Sequence, residues 1–334
     1  MAHQVETMAY AGEVPWHGLG VKVIDDLTPD QMLKKAGLDW TVSTRPMYFK
    51  NTNKPEYTEI PKRRVLVRDS DETILSTVGD GWKPLQNSEA FDFFNEFVIA
   101  GDMKMDTAGS LDDGRMVWGL AKLKDGFTVS KGDDVEGYLL FSNPHKYACS
   151  IEVRFTPVRV VCNNTITLAL NQEGMTGKFR VLHLQMFDEE IMRSAEQALG
   201  ISGEQMKQFN EQAEFLASKK ATEQKVNTFI AELFQKNLLV ERAKHNNPKE
   251  LPPLSDEFAK NATAVKEAIE TSPGSNLASS KGTWWGALNG VTYVMDHAKK
   301  AKTRDHALTS AWFGSSAVTK RTALKKALEY AEVA

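Results

Sequence analysis

Nine side chains in this sequence have the types and spacing to handle a polyanion. Lys62, Arg63 and Arg64 stand together at the start of one apolar run, and Lys146, Arg154 and Arg159 gather around another. A guanidinium offers a planar fork that matches phosphate oxygens, and an ammonium adds a point charge. Asn163 and Asn164 interrupt the stretch "RFTPVRVVCNNTITLAL", where an amide can pair with a base edge or a backbone group. Trp82 follows "VGDG" on an expected loop, where an indole can stack on a base. This combination suits phosphate contact, amide hydrogen bonding and stacking. Its structural alternative is plain: Arg159 bridges to an acid such as Glu152, and Asn163 ties down a neighbouring loop.

Other chemistries are less well served. Seven histidines are scattered along the chain, with no His-x-x-x-His pair. Only His17 in "PWHGLG" and His145 in "NPHKYACS" fall in distinctive stretches. They are candidates for acid/base or metal chemistry, against the simpler use of a hydrogen bond that fixes a turn. Cys162 falls at the edge of an apolar helical face, where a thiol behaves as a small hydrophobe. With two cysteines and no Cys-x-x-Cys, neither a disulfide framework nor a zinc knuckle is expected. "VGDG" lacks the Gly-x-x-x-x-Gly-Lys-Ser/Thr spacing that cradles phosphates, so no ATP-driven motor is expected. No motif calls for a cofactor or a metal. Asp112-Asp113 before Gly114 reads as a turn.

These residues have to be positioned by a regular scaffold. "DLTPDQMLKKAGLDW" reads as a short helix with Thr28 as N-cap, Pro29 at its first position, Gln31 closing a capping box and Gly37 ending it. "KRRVLVRD" (62–69) and "TILSTVGD" (73–80) read as a hairpin joined by "SDE". "NSEAFDFFNEFVIAG" reads as a helix with Phe91, Phe94, Phe97 and Val98 on one face, stopped by Gly101. Strands are expected over 115–123, 137–144 and 147–156. In the last, Cys149, Ile151, Val153 and Phe155 alternate with Ser150, Glu152, Arg154 and Thr156. Thr156-Pro157 then repeats the Thr28-Pro29 device, predicting a helix to about Leu170. Its inner face would be Val158, Val161, Leu168 and Ala169, and its outer row Arg159, Asn163 and Thr167. That helix would pack on the Cys149/Ile151/Val153 face, leaving the opposite, polar face of the sheet open.

From about 187 the pattern becomes helical, with a proline-rich connection at 246–256, a stripe of Trp284, Leu288, Val291 and Met295, and a last helix near 316–332. The expected fold class is therefore α+β: an antiparallel sheet with a packed helix (a strand-strand-strand-helix core) plus a C-terminal helical region. The expected domains are 1–186 and 187–334.

Charge narrows the function classes. Lys+Arg is 41 against Asp+Glu 44, a net of −3, so no polybasic protein is in view. The distribution is uneven: from Lys281 onward nine basic residues face four acidic ones, a local +5, which is what a phosphate-binding end would show. No secretory leader and no spanning apolar run is evident, so the expected location is the cytoplasm of a bacterial host, with no membrane partner.

Four stretches taken together resemble a known family. "PWHGLG" (15–20), "VGDGWKPLQNSEAFDFF" (78–94), "FTPVRVVCNNTITLAL" (155–170) and "GTWWGALNGVTYVMDH" (282–297) are similar to the phage/plasmid-like protein family, domain of unknown function 932. The resemblance implies a phage or plasmid setting and brings no catalytic residues. By architecture only, the strand-strand-strand-helix unit is similar to single-strand annealing recombinases of the Rad52 and Red-beta type. The expectation that follows is ATP-independent binding of single-stranded DNA, with strand annealing in recombination by a homo-oligomer. Phage or host replication and recombination proteins would be its protein partners. The competing expectations are an enzyme with a site near His17 and His145, and a non-catalytic structural or host-interaction protein.

Overall fold

The computed structural model describes residues 5–11, 20–53, 55–92, 94–95, 98, 103–159, 164–165, 170–172, 175–177, 179–181, 183, 189–234, 256–298 and 310–333. His17, Asn163 and Cys162 lie outside these residues, as do Phe97 and Gly101. The α+β class holds. The main sheet contains β1 (Val5–Tyr10), β2 (Val21–Lys22), β6 (Met103–Leu111), β7 (Met116–Ser130), β8 (Asp133–Pro144), β9 (Ile151–Arg159) and β10 (Asn164–Thr165), in the order β10-β9-β8-β7-β6-β1-β2. β13 (Phe179–Val181) also pairs with β9. All neighbours are antiparallel except β1 and β2. A second sheet is the meander of β3 (Val42–Lys50), β4 (Tyr57–Arg68) and β5 (Ile74–Gly79), and a small hairpin joins β11 (Leu170–Gln172) to β12 (Met175–Gly177).

Several local signals act as expected. In α1 (Pro29–Lys35), Thr28 Oγ1 accepts from the Gln31 N–H at 3.2 Å, and Gln31 Oε1 accepts from the Thr28 N–H at 2.9 Å. Gly37 adopts φ +66°, the left-handed position where glycine carries no Cβ penalty. Asp112, Asp113 and Gly114 all take positive φ in the tight turn between β6 and β7.

The described residues of the predicted 157–170 helix lie in strands instead. Thr156 and Pro157 continue β9, Asn164–Thr165 turns back as β10, and Leu170 opens β11. The capping device is outvoted by tertiary context: β9 pairs with β8 from Val135↔Arg159 to Ser142↔Glu152, and the stretch is rich in Val, Thr and Ile, which favour strands. Among the described residues, β9 pairs on its other side with β13 at 151–153 and with β10 at 158–159. The strand expected at 147–156 begins later, because Lys146–Ala148 form a turn.

The helix that covers the Ile151/Val153 face comes from elsewhere. Ile151 and Val153 share a core with Met32 and Leu33 of α1 and with Phe91 and Ala90 of α2 (Asn87–Asp92), together with Phe94 just beyond it. The opposite face is polar but not open: Trp312 and Ala311 pack there against Trp118, Leu140 and Tyr10. The helical region consists of α3 (Glu189–Ser218), α4 (Glu223–Phe234), α5 (Asp256–Thr271), α6 (Trp284–Tyr293) with a π-helical turn at Val294–Ala298, and α7 (Ser315–Glu332). Its core holds Phe209, Phe229, Trp284, Trp285, Leu288 and Val291, and it reaches the sheet through Val135. Asp133 of β8 accepts hydrogen bonds from Ser279 Oγ at 2.5 Å and Trp285 Nε1 at 2.9 Å, which fixes that junction. No helix among the described residues is long and apolar enough to cross a membrane.

Candidate functional site

The β3–β4 hairpin brings together groups that are far less conspicuous in the linear sequence. Residues 45–64 hold six basic residues against two acidic ones, a local excess of positive charge in a chain that is negative overall. The register aligns Tyr48 with Glu59, Phe49 with Thr58 and Lys50 with Tyr57. Tyr48 is 54% exposed, Phe49 47% and Tyr57 66%. Side chains two apart on a strand share a face. On β3, Val42, Tyr48 and Lys50 are therefore on one side, and Tyr57 joins them across the ladder. That side is buried at the base, where Val42 packs with Leu66 and Val78, and exposed at the tip. The tip of the hairpin is thus exposed on this side, where Tyr48 stands opposite Glu59 and Lys50 opposite Tyr57.

Lys62 and Arg63 occupy a bulge in the same hairpin. Pro46 pairs with Arg64 while Tyr48 pairs with Glu59, so four residues of β4 (60–63) face a single one of β3. Lys62 takes φ +58° there, and both Lys62 and Arg63 are exposed. A bulge re-aims side chains out of the ladder. Arg64 lies 3.8 Å from Glu59, an exposed pair of little energetic weight.

The remaining sequence-predicted residues are not gathered here. Lys146 sits in the turn after β8 and donates to Asp112 at 3.1 Å. Arg154 is buried: its Nε and Nη2 donate to Glu152, its Nη1 donates to the Trp312 carbonyl at 2.9 Å, and its guanidinium lies 5.0 Å from the Phe313 ring. Arg159 closes β9, opposite Val135 on one side and Asn164 on the other. In the basic C-terminal end, Lys320 is wholly buried against Asp296 at 2.5 Å, and Lys326 pairs with Glu232 at 2.5 Å.

Trp82 is half-buried and stacked on His183, with ring centroids 4.1 Å apart at 22°. This stack belongs to a second cluster, at the C-terminal end of β8. His145 is fully buried, and its Nε2 lies 2.9 Å from Asn87 Oδ1. Asn143, also fully buried, donates through Nδ2 to the Leu85 carbonyl at 2.9 Å. His183 Nδ1 lies 3.3 Å from the Lys83 carbonyl, and the Lys83 N–H donates back to the His183 carbonyl at 2.5 Å. Burial pushes His145 down to about 3, with a smaller contribution from His183 beside it. Burial also pushes His183 down to about 4, against the opposing pull of the Lys83 and Pro144 carbonyls. Both imidazoles are neutral at ordinary pH.

The residues missed in the sequence are Tyr48, Phe49, Lys50 and Tyr57 on the hairpin, and Asn87, Asn143 and His183 in the buried cluster. The first group carried a signal: aromatics alternating with basic residues around the turn-forming "KNTNKPE". The second carried none, because Asn87, Asn143 and His183 stand tens of residues apart in the sequence. No curated protein and no solved structure matches the chain. Residues 74–312 match the family described as Domain of unknown function (DUF932), which covers more than half of the sequence, and the chain belongs to that family.

Proposed function

We propose that this protein binds single-stranded nucleic acid without ATP, using the β3–β4 hairpin as its grip. The observation that carries this reading is the exposed set of Tyr48, Phe49 and Tyr57 interleaved with Lys50, Lys62 and Arg63. Exposed aromatic rings on a β-ribbon are poor for solubility unless something covers them. Bases offer π-faces to them without regard to sequence, and the cations beside them neutralise the phosphates between bases. A single strand can splay its bases onto such a ribbon, whereas a duplex keeps them stacked inside. Strand annealing by a homo-oligomer of a mobile element is the biological role we attach to this activity.

Fluorescence anisotropy with a labelled single-stranded oligonucleotide tests the reading. Stacking is worth ~1–3 kcal/mol per base, so Tyr48→Ala with Tyr57→Ala should weaken binding by about 5- to 150-fold per residue. Both positions are exposed, so the melting temperature should stay nearly unchanged. No binding by the wild type at low salt, or wild-type binding by the double variant, overturns the proposal. The mass of the protein with and without oligonucleotide tests the oligomer.

A further inference from the structure

We propose that Glu59 makes the hairpin select bases that carry an exocyclic amino group, cytosine over uracil in the simplest case. This selectivity rests on the single-strand grip proposed above and adds a residue to it. The register places four exposed side chains on one face of the ribbon: Tyr48 directly opposite Glu59, and Lys50 directly opposite Tyr57. Directly opposed side chains share a face, with Cβ atoms about 4.5–5.5 Å apart. Each ring therefore has a charged neighbour of its own, anionic beside Tyr48 and cationic beside Tyr57. Beside a base stacked on Tyr57, the Lys50 ammonium is placed for the phosphate of that nucleotide. A carboxylate in the equivalent place repels phosphate. Residues 45–64 hold six basic residues and only two acidic ones, and one of those two stands against an exposed ring. What Glu59 can meet favourably there is a hydrogen-bond donor on the edge of the base stacked on Tyr48.

Base edges differ in what they offer. The cytosine amino group donates, and a glutamate accepts from it; adenine offers an amino group too. Uracil carries a carbonyl where cytosine has the amino group, so that acceptor would face acceptor. Glu59 is available for this contact. Its side chain is 51% exposed, and its ion pair with Arg64, at 3.8 Å, is too loose and too exposed to hold the carboxylate firmly. Arg64 at the same time offsets part of the repulsion between Glu59 and nearby phosphates. Asn51 Nδ2 donates to Thr58 Oγ1 at 2.9 Å across the ribbon, which ties the two strands together beside these four positions.

Oligo(dC) and oligo(dU) of one length differ only in the Watson–Crick edge of the base. Anisotropy titrations of the full-length protein at low salt and mildly alkaline pH compare them. The wild type is expected to bind oligo(dC) more tightly by about 5-fold or more, the lower end of what one good base contact discriminates. Glu59→Gln, whose amide both donates and accepts, should bring the two affinities within about twofold of each other. Glu56→Gln makes the same change of charge at an exposed position beside Tyr57 and should move both affinities together. Tyr48→Ala should abolish the preference, because it removes the ring that holds the base at Glu59. Tyr57→Ala should weaken both oligonucleotides and keep the preference. Equal binding of the two by the wild type, or a preference that Glu59→Gln leaves unchanged, overturns the role of Glu59 and leaves the grip standing. A wild type that binds neither overturns the grip, and the selectivity with it.

Discussion

Replacing Lys50, Lys62 and Arg63 together with alanine isolates the electrostatic part of the hairpin's action. All three are exposed, and none forms an ion pair among the described residues. If each meets one phosphate of a single strand, they contribute about −2 to the slope of log affinity against log salt, at roughly −0.7 per contact. Over a fourfold rise in salt, from about 50 to 200 mM, that slope is worth about 20-fold in affinity. The triple variant should therefore bind far more weakly than wild type at low salt, and the two curves should converge as salt rises. Anisotropy titrations at four or five salt concentrations read the slope directly. Lys124, Lys131 and Lys260, exposed on other surfaces, provide a control with the same change in net charge. Their replacement should leave the slope intact. An unchanged slope in the hairpin variant, or an equal loss in the control, refutes the assignment of the phosphate contacts to this ribbon.

Three further outcomes probe the scaffold. Asp106, half-buried at a bulge of β6, has its carboxyl pushed up to about 7, chiefly by burial and against the pull of Lys122, with Glu136 and Asp25 adding to the rise. A carboxyl whose folded value is raised binds its proton more tightly in the folded state, so its contribution is full below about pH 4 and is lost as pH rises to about 7. Asp106→Asn should remove that decline and stabilise the protein above neutrality, by at most roughly 4 kcal/mol, as read by urea melts at pH 5 and pH 8. Lys320→Met should cost ~3–5 kcal/mol, because it removes the cation beside the buried Asp296, and adding Asp296→Leu should recover most of the loss in chemical denaturation. Gly290→Ala should cost ~1–3 kcal/mol in the same assay, since a Cβ on α6 would collide with Ile269 of α5.

The division between what the sequence reveals and what it hides follows the range of the interactions. The Thr28-Pro29-Gln31 cap, the Asp112-Asp113-Gly114 turn, the β4–β5 hairpin and the Trp284/Leu288/Val291 stripe are encoded within a few residues of themselves, and each forms as read. The same local device misleads at Thr156-Pro157, where the β8 ladder offers a paired backbone over eight positions and the helix cap has nothing comparable to set against it. Burial of charge is equally invisible locally. Arg154 looks like an exposed phosphate ligand on the polar side of a strand until Trp312 and Phe313, more than 150 residues later, close over it. The basic cluster at 62–64 is legible as composition, but its placement on an exposed bulge depends on β3 pairing with β4. His145 is conspicuous alone, yet its partner Asn87 and its neighbour His183 stand far from it in the sequence. Only the folded chain, by pairing strands distant in sequence and excluding water between them, decides which polar groups meet a ligand and which meet one another.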